Sequence, residues 1–195
     1  LPAGFGLDIS GVVHEVGPHV HAIKPGERVY VNPARGCGSC RFCRAGQLLN
    51  CESFIYQGYF GRGPLSQAVF ERYPTGGLGQ YSLAPADALV KLPDNITFEE
   101  ASRFGYLGTG YGALKKSGLK PAGSILINGV TGTLGVGTVL LALAMGAARI
   151  LGVARNEDLL ARLKALSPSR IETFSTKSGG SVERSEEHTS ELQSH

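Results

Sequence analysis

The chain has 195 residues, of which 42% are hydrophobic and 18% charged, a balance that fits a soluble globular protein of one or two domains and argues against a low-complexity chain. Lys and Arg number 19 against 16 Asp and Glu, and the net charge of +3 is too small and too scattered to imply a nucleic-acid surface. The longest apolar run, Val136 to Met145, is broken by Gly137 and Thr138 and is too short to cross a bilayer.

The first residues, LPAGFGLDIS, begin without Met and in mid-pattern, so an N-terminal part is expected to be missing. Ile9 to Val16 is rich in β-branched residues and reads as a strand, ended by Gly17-Pro18. Lys24-Pro25-Gly26 predicts a turn into a second short strand, Arg28 to Val31. All four cysteines of the chain follow, within GCGSCRFCRAGQLLNC: Cys37, Cys40, Cys43 and Cys51, spaced C-x2-C-x2-C-x7-C. Four thiolates at this spacing suit one tetrahedral zinc, and a site that uses every cysteine is closed and structural. A pair of disulfides and a nucleic-acid-binding zinc ribbon are the competing readings. Nothing else looks secreted, and a ribbon usually has two separated knuckles. Clustered metal-type cysteines point to a reducing, cytoplasmic setting.

Residues 54–75 carry Gly58, Gly61, Gly63, Pro64 and Pro74 and read as irregular connection. Gln80 to Leu83 and Leu89 to Leu92 are two further strands, and the spacing of the set predicts a partly closed β-barrel. Near Pro93 the pattern turns helical. Thr97 and Glu100 form a capping box, the helical segment runs with glycine interruptions towards Lys115-Lys116, and Gly118 stops it. Ser124 to Asn128 then reads as a strand buried on both faces. A second helix runs to about Met145, Ala148 to Val153 is a second buried strand, and Asn156 caps a third helix.

Asn128 to Gly135, NGVTGTLG, lies between that first buried strand and the second helix. Gly129, Thr131, Gly132, Thr133, Leu134 and Gly135 form the candidate dinucleotide loop: the backbone must turn tightly and present helix N-terminal N–H groups to a pyrophosphate. The alternative is glycines that serve helix–sheet packing alone. Where an NAD site usually places an acid, at the end of the second strand, the chain has Ala154 and Arg155. An Arg without an acid suits the 2′-phosphate of NADP, so NADP(H) is expected over NAD(H); a merely solvated Arg is the alternative.

In this order, the motifs GLDISGVVHEVGPHV, KPGERV, the cysteine run, GGLGQYSLAP, the FEEA helix and INGVTGTLG resemble the medium-chain dehydrogenase/reductase family, which includes the zinc alcohol dehydrogenases, over about Gly6 to Leu166. The resemblance implies a mixed α/β chain. A GroES-like catalytic domain would span 1–94, with its zinc lobe at 36–52, and the first half of a doubly wound Rossmann domain would span 95–183. It implies hydride transfer between a nicotinamide and an alcohol, carbonyl or activated alkene, one structural Zn2+, a small-molecule substrate, no nucleic-acid or membrane partner, and a homodimer or homotetramer. Two departures stand out. The family's Gly-His-Glu triplet is Gly6-Leu7-Asp8 here, so a catalytic zinc ligand is replaced by Leu7. A later ligand position falls near Gly105 or Tyr106, and no Cys, His, Asp or Glu occurs between Arg103 and Tyr111. A site without catalytic zinc is therefore expected, as in the zinc-free quinone and enone reductases of the family, with Tyr106 the nearest donor and a packing aromatic as its alternative role. A zinc alcohol dehydrogenase with atypical ligands and a non-catalytic cofactor-binding relative remain alternatives. His14, His19 and His21 are expected at the surface.

The last twelve residues, 184–195, read RSEEHTSELQSH and resemble the translation of a sequencing-adapter oligonucleotide. Composition alone predicts disorder for them. The chain as written is accordingly expected to be a fragment, incompletely folded and inactive.

Overall fold

A computed structural model describes residues 4–177 of the chain. These divide into two compact units, the division falling after Gly105. The change of sequence pattern lies earlier, at 94/95, because the first helix after it packs on the strands that precede it.

In the first unit, β1 (Ile9–Val12), β2 (Arg28–Val31) and β6 (Leu89–Lys91) form an antiparallel sheet in the order β1-β2-β6. Its register sets Ile9 against Val31 and Val29 against Lys91. A second antiparallel sheet joins β3 (Ala34–Arg35), β4 (Ile55–Tyr56) and β5 (Phe60–Gly61). Between β3 and β4 the cysteine lobe contains the single helical turn α1 (Arg41–Arg44) and a 3-10 turn, Leu48–Asn50. Val13, Ile23 and Val29 make one small core, and Tyr30, Leu92 and Ala101 another.

Residues 54–75 are more ordered than their glycines and prolines suggest. They hold β4, β5 and the helix α2 (Ser66–Arg72), whose one buried residue is Val69. With so little apolar periodicity, that helix depends on tertiary contact. The strand expected over Gln80 to Leu83 does not form; Tyr81 and Leu83 are exposed there and no strand pairs with them. The first strand is also shorter than expected, ending at Val12.

Thr97 caps α3 (Phe98–Ala101) by accepting from the Glu100 N–H at 3.1 Å, while the Glu100 carboxylate accepts from the Thr97 N–H at 2.9 Å. Both orphan donors are thereby satisfied. The longer α4 (Phe104–Lys116) ends before Gly118, which takes a φ of +75°.

In the second unit, β7 (Ser124–Asn128), α5 (Thr133–Ala144), β8 (Arg149–Ala154), α6 (Glu157–Ala165) and β9 (Ile171–Ser175) alternate strictly. The three strands pair in parallel in the order β7-β8-β9, the 3-2-1 half of a doubly wound sheet read from its other side. Ile127, Val139, Ala142, Ile150, Leu160, Leu163 and Ile171 lock this unit around one core. Burial of β7 on both faces is not realised: Ile127 is buried, but Leu126 is 56% exposed. Among the described residues β7 is a sheet edge, and nothing covers the face that carries Leu126. Across β8 and β9, Arg149 holds Glu172 with two donors, at 2.7 and 2.9 Å.

Candidate functional site

The cysteine lobe brings its four sulfurs together, all ligand atoms lying within 4.8 Å of one another. All four are free thiols, so the disulfide reading falls. The Sγ atoms of Cys37 and Cys51 are 3.7 Å apart and those of Cys40 and Cys51 3.9 Å. A tetrahedron with metal–sulfur bonds of about 2.3 Å has edges of about 3.8 Å, so the cluster has the dimensions of a tetrathiolate zinc site.

Backbone donors already point at the sulfurs. Cys51 Sγ accepts from the N–H groups of Cys37 and Ser53, each at 3.3 Å, and Cys37 Sγ accepts from that of Cys40 at 3.4 Å. The N–H of Ser39, then that of Cys40, hold the Cys37 thiol down to about 6, whereas burial pushes Cys43 up to about 12. The N–H of Cys43 leads in lowering Cys40. N–H···S bonds favour thiolates, which are the metal-binding form. Gly36 keeps the lobe tight, since a Cβ there would lie 2.9 Å from Cys43 Sγ and 2.7 Å from the Leu48 side chain.

A second constellation surrounds Asp8. Gly6 has a φ of +114°, and a Cβ on it would come within 2.5 Å of the Leu78 nitrogen. The Gly6 N–H donates to Gly58 O and its carbonyl accepts from Gly77 N–H. These close approaches fix Leu7 and Asp8, both half-buried. A Cβ on Gly105 would stand 3.4 Å from the Tyr30 hydroxyl and 3.8 Å from Asp8 Oδ1. Tyr30 is nearly buried, and burial first, then the Asp8 charge, raises its pKa above the usual tyrosine range. Tyr106 lies next to Gly105 in the first turn of α4, half-buried. His14, His19 and His21 are exposed, and the His14 ring packs on Tyr81 at 5.0 Å.

The third constellation is the turn from β7 into α5. Gly129 takes a φ of +76°, donates its N–H to Val153 O at 2.7 Å, and accepts from Gly132 N–H at 3.1 Å. Gly132 is the N-cap of α5, so no side chain answers the N–H groups of the first helical turn. Thr131 is half-buried, while Gly132, Thr133 and Leu134 are exposed. Gly135 is buried, and a Cβ on it would meet Gly129 O at 2.2 Å and Val130 Cα at 2.6 Å. Helix and strand therefore approach closely, leaving an open rim of donors that fits a pyrophosphate. Beyond β8, Arg155 is exposed, and Asn156 Oδ1 accepts from Leu159 N–H at 3.0 Å to cap α6.

Comparison with known proteins decides the family. The alcohol dehydrogenase GroES-like domain matches residues 1–94. L-idonate 5-dehydrogenase of Vitis vinifera is 32% identical over 175 residues, 90% of this chain and 44% of that protein. An alcohol dehydrogenase of Geobacillus stearothermophilus is 39% identical over 148 residues, 75% of this chain and 40% of that protein. Among solved structures, the alcohol dehydrogenase of Thermus sp. ATN1 superposes with a TM-score of 0.76 at 28% identity, covering 96% of this chain and 52% of that one. The chain belongs to the medium-chain dehydrogenase/reductase family. It spans about half the length of the relatives it matches.

Within the family frame, a GroES-like unit with a cysteine lobe precedes a unit that begins a Rossmann-type sheet, as the sequence motifs imply. The six loop residues lie in the turn from β7 and the first turn of α5, Gly135 buried and Gly129, Gly132, Thr133 and Leu134 exposed, and Arg155 follows the neighbouring strand. What the motifs missed is Tyr30. It sits in an ordinary short strand, and only the fold places its hydroxyl beside Asp8 and Gly105. The tail at 184–195 lies outside the described residues. Among the described residues, no helix is long and apolar enough to cross a membrane.

Proposed function

We propose that the intact protein is an NAD(P)H-dependent oxidoreductase that transfers hydride between a nicotinamide and an alcohol, carbonyl or activated alkene. One observation carries this reading: an uncapped α5 N-terminus, opened by Gly129 and Gly132 and held against its strand by Gly135. Two of the similar proteins are named L-idonate 5-dehydrogenase and alcohol dehydrogenase, names that agree with a small-molecule redox substrate. The nicotinamide supplies or accepts the hydride. The loop N–H groups bind the pyrophosphate, and Arg155, with no acid at the end of β8, favours the 2′-phosphate of NADP.

The four cysteines hold one structural zinc, which shapes the lobe and takes no part in hydride transfer. A catalytic zinc is absent on this reading, because Leu7 offers no ligand atom and Gly105 offers none beside it. Hydrogen-bond donors then stabilise the developing oxyanion. Tyr30 is nominated as that donor, with Tyr106 as the sequence-based alternative. Burial first, and then the neighbouring Asp8, favours the protonated Tyr30 phenol, the form that donates.

A second reading rests on Asp8 itself. Its carboxylate near Gly105 could serve a zinc alcohol dehydrogenase with atypical ligands. Metal analysis of the purified intact protein separates the two: one zinc per chain is expected, and two would overturn the zinc-free reading. Turnover of a carbonyl panel with NADPH at more than tenfold the kcat/KM of NADH is the expected outcome for Arg155. Nicotinamide binding without turnover on any panel member would instead favour a non-catalytic relative.

A further inference from the structure

We propose that Gln57 is a positioning residue for Asp8: its buried side-chain amide clamps the segment that holds the Gly6–Asp8 backbone in place. Its bearing on hydride transfer rests on the oxidoreductase reading above. Gln57 is 0% exposed and follows the end of β4. Its Nε2 donates to Thr75 O at 2.7 Å, to Leu83 O at 2.8 Å and to Ser82 Oγ at 3.1 Å. Two N–H groups serve three acceptors, so one of them is shared. The amide cannot turn over, because Oε1 would then face two carbonyl oxygens. Ser82 Oγ donates to Thr75 O at 2.9 Å and closes the bracket. One amide therefore pins both ends of the irregular stretch 75–83.

That stretch carries the backbone against which Asp8 rests. The N–H of Gly76 donates to Gly4 O at 2.9 Å, that of Gly77 to Gly6 O at 2.8 Å and that of Leu78 to Phe5 O at 2.9 Å. A Cβ on Gly77 would lie 2.6 Å from Asp8 O. From the other side Gly58, the neighbour of Gln57, accepts from Gly6 N–H at 2.9 Å, and a Cβ on it would lie 2.4 Å from Gly6 O. Gln57 thus reaches Asp8 by two routes, along its own chain through Gly58 and across the bracket through Thr75 to Gly77. Both routes end in backbone packed on backbone, so a displacement of Thr75 passes on to Asp8 rather than being absorbed by a side chain.

Gln57 Oε1 is buried and has no hydrogen-bond partner. Buried acceptors are normally satisfied, so the fold keeps this amide for its donors alone. An aliphatic side chain would fill the same space and leave Thr75 O and Leu83 O untied. The group held in place is Asp8, whose Oδ1, like the Tyr30 hydroxyl, lies within 4 Å of the point where a Cβ on Gly105 would stand. A displacement of about 1 Å in such a constellation costs up to about a hundredfold in rate. Hydrogen bonds one layer behind the reacting groups are what hold a site within that tolerance.

The test is a double-mutant cycle on the intact protein carrying 13Cζ-labelled tyrosine, with the Tyr30 resonance assigned by Tyr30→Phe and folding checked by circular dichroism. Asp8→Asn removes a charge beside the phenol and should displace the Tyr30 resonance. Gln57→Met keeps the volume but donates nothing. It should displace the resonance in the same direction, by at least about half as much, and leave it in place when Asp8→Asn is already present. A role in stability alone would displace it equally in both backgrounds. With NADPH and the panel carbonyl turned over fastest, Gln57→Met should lower kcat about tenfold at unchanged KM for NADPH, and less than about twofold in the Asp8→Asn background. Ser82→Ala, at an exposed residue, removes one member of the bracket. It should give the same displacement in smaller degree, which decides the matter if Gln57→Met does not fold. A Tyr30 resonance unmoved by Asp8→Asn or by folded Gln57→Met, equal displacement in both backgrounds, or, with Gln57→Met unfolded, a resonance unmoved by Ser82→Ala would each overturn the proposal. Absence of turnover on the whole panel would overturn the oxidoreductase reading instead, and the Tyr30 resonance would still decide the role of Gln57.

Discussion

Gly135→Ala probes the nucleotide loop most directly. An added Cβ would lie 2.2 Å from Gly129 O and 2.6 Å from Val130 Cα, both backbone atoms that cannot rotate aside. Carbon contacts relax near 3.5 Å, so the start of α5 must retreat by roughly 1 Å from the strand end. Overpacking of that kind costs about 1–3 kcal/mol, and the rigidity of both neighbours argues for the upper end, about 3 kcal/mol. Alanine returns at most about 1 kcal/mol in helix propensity, leaving a net loss of about 2 kcal/mol. Gly112 is the matched control: it lies inside α4, and a Cβ there meets nothing within 4 Å. Gly112→Ala should gain up to about 1 kcal/mol. Urea unfolding of the intact protein, followed by far-UV circular dichroism, reads both, as shifts of midpoint at unchanged slope. A Gly135→Ala protein as stable as wild type, or as stable as Gly112→Ala, would refute the close-approach account of the loop.

Three further outcomes follow from the geometry. Cys51→Ser removes the sulfur that receives two N–H groups, so zinc content measured by atomic emission should fall from one per chain to near zero, with loss of structure in the lobe. Ala122 holds a left-handed φ of 62°, a conformation that costs a side chain about 1 kcal/mol, so Ala122→Gly should be neutral to slightly stabilising in the same urea assay, and a loss above about 1 kcal/mol would contradict it. The Thr97 N–H leads in lowering the Glu100 pKa from 4.5, so the cap stabilises the chain above that value and fades as pH falls through the lower folded-state value; the stability gap between wild type and Glu100→Gln should close over that acid range in pH-dependent melting curves.

Legibility in the sequence followed the locality of the signal. The capping box Thr97/Glu100 and the Asn156 cap depend on neighbours within a few residues, and each forms as read, while Ser124–Asn128 forms the strand but not its burial on both faces. The cysteine spacing likewise carries its own geometry. Where the outcome depends on distant partners, the reading failed. Tyr81 and Leu83 have strand-forming character but no strand beside them. Ser66–Arg72 has little helical patterning and is helical through contact with β4 and β5. Burial of Leu126 needs a covering layer that β7 itself cannot encode. Gln57 and Tyr30 follow the same logic: a glutamine before a glycine and an aromatic in a short strand look ordinary until folding buries the amide and sets the phenol by Asp8.

The cysteine lobe also has a temporal meaning. Its farthest ligands, Cys37 and Cys51, are only 14 positions apart, whereas β2 must wait for β6, pairing Val29 with Lys91. Closing the short loop is entropically cheap and fast, and its N–H groups come from the same stretch as the thiols. On a ribosome the lobe can capture its metal while β6 is still unsynthesised. A metal held there would fix β3 and β4 in register before β6 is available to complete the sheet of β1 and β2.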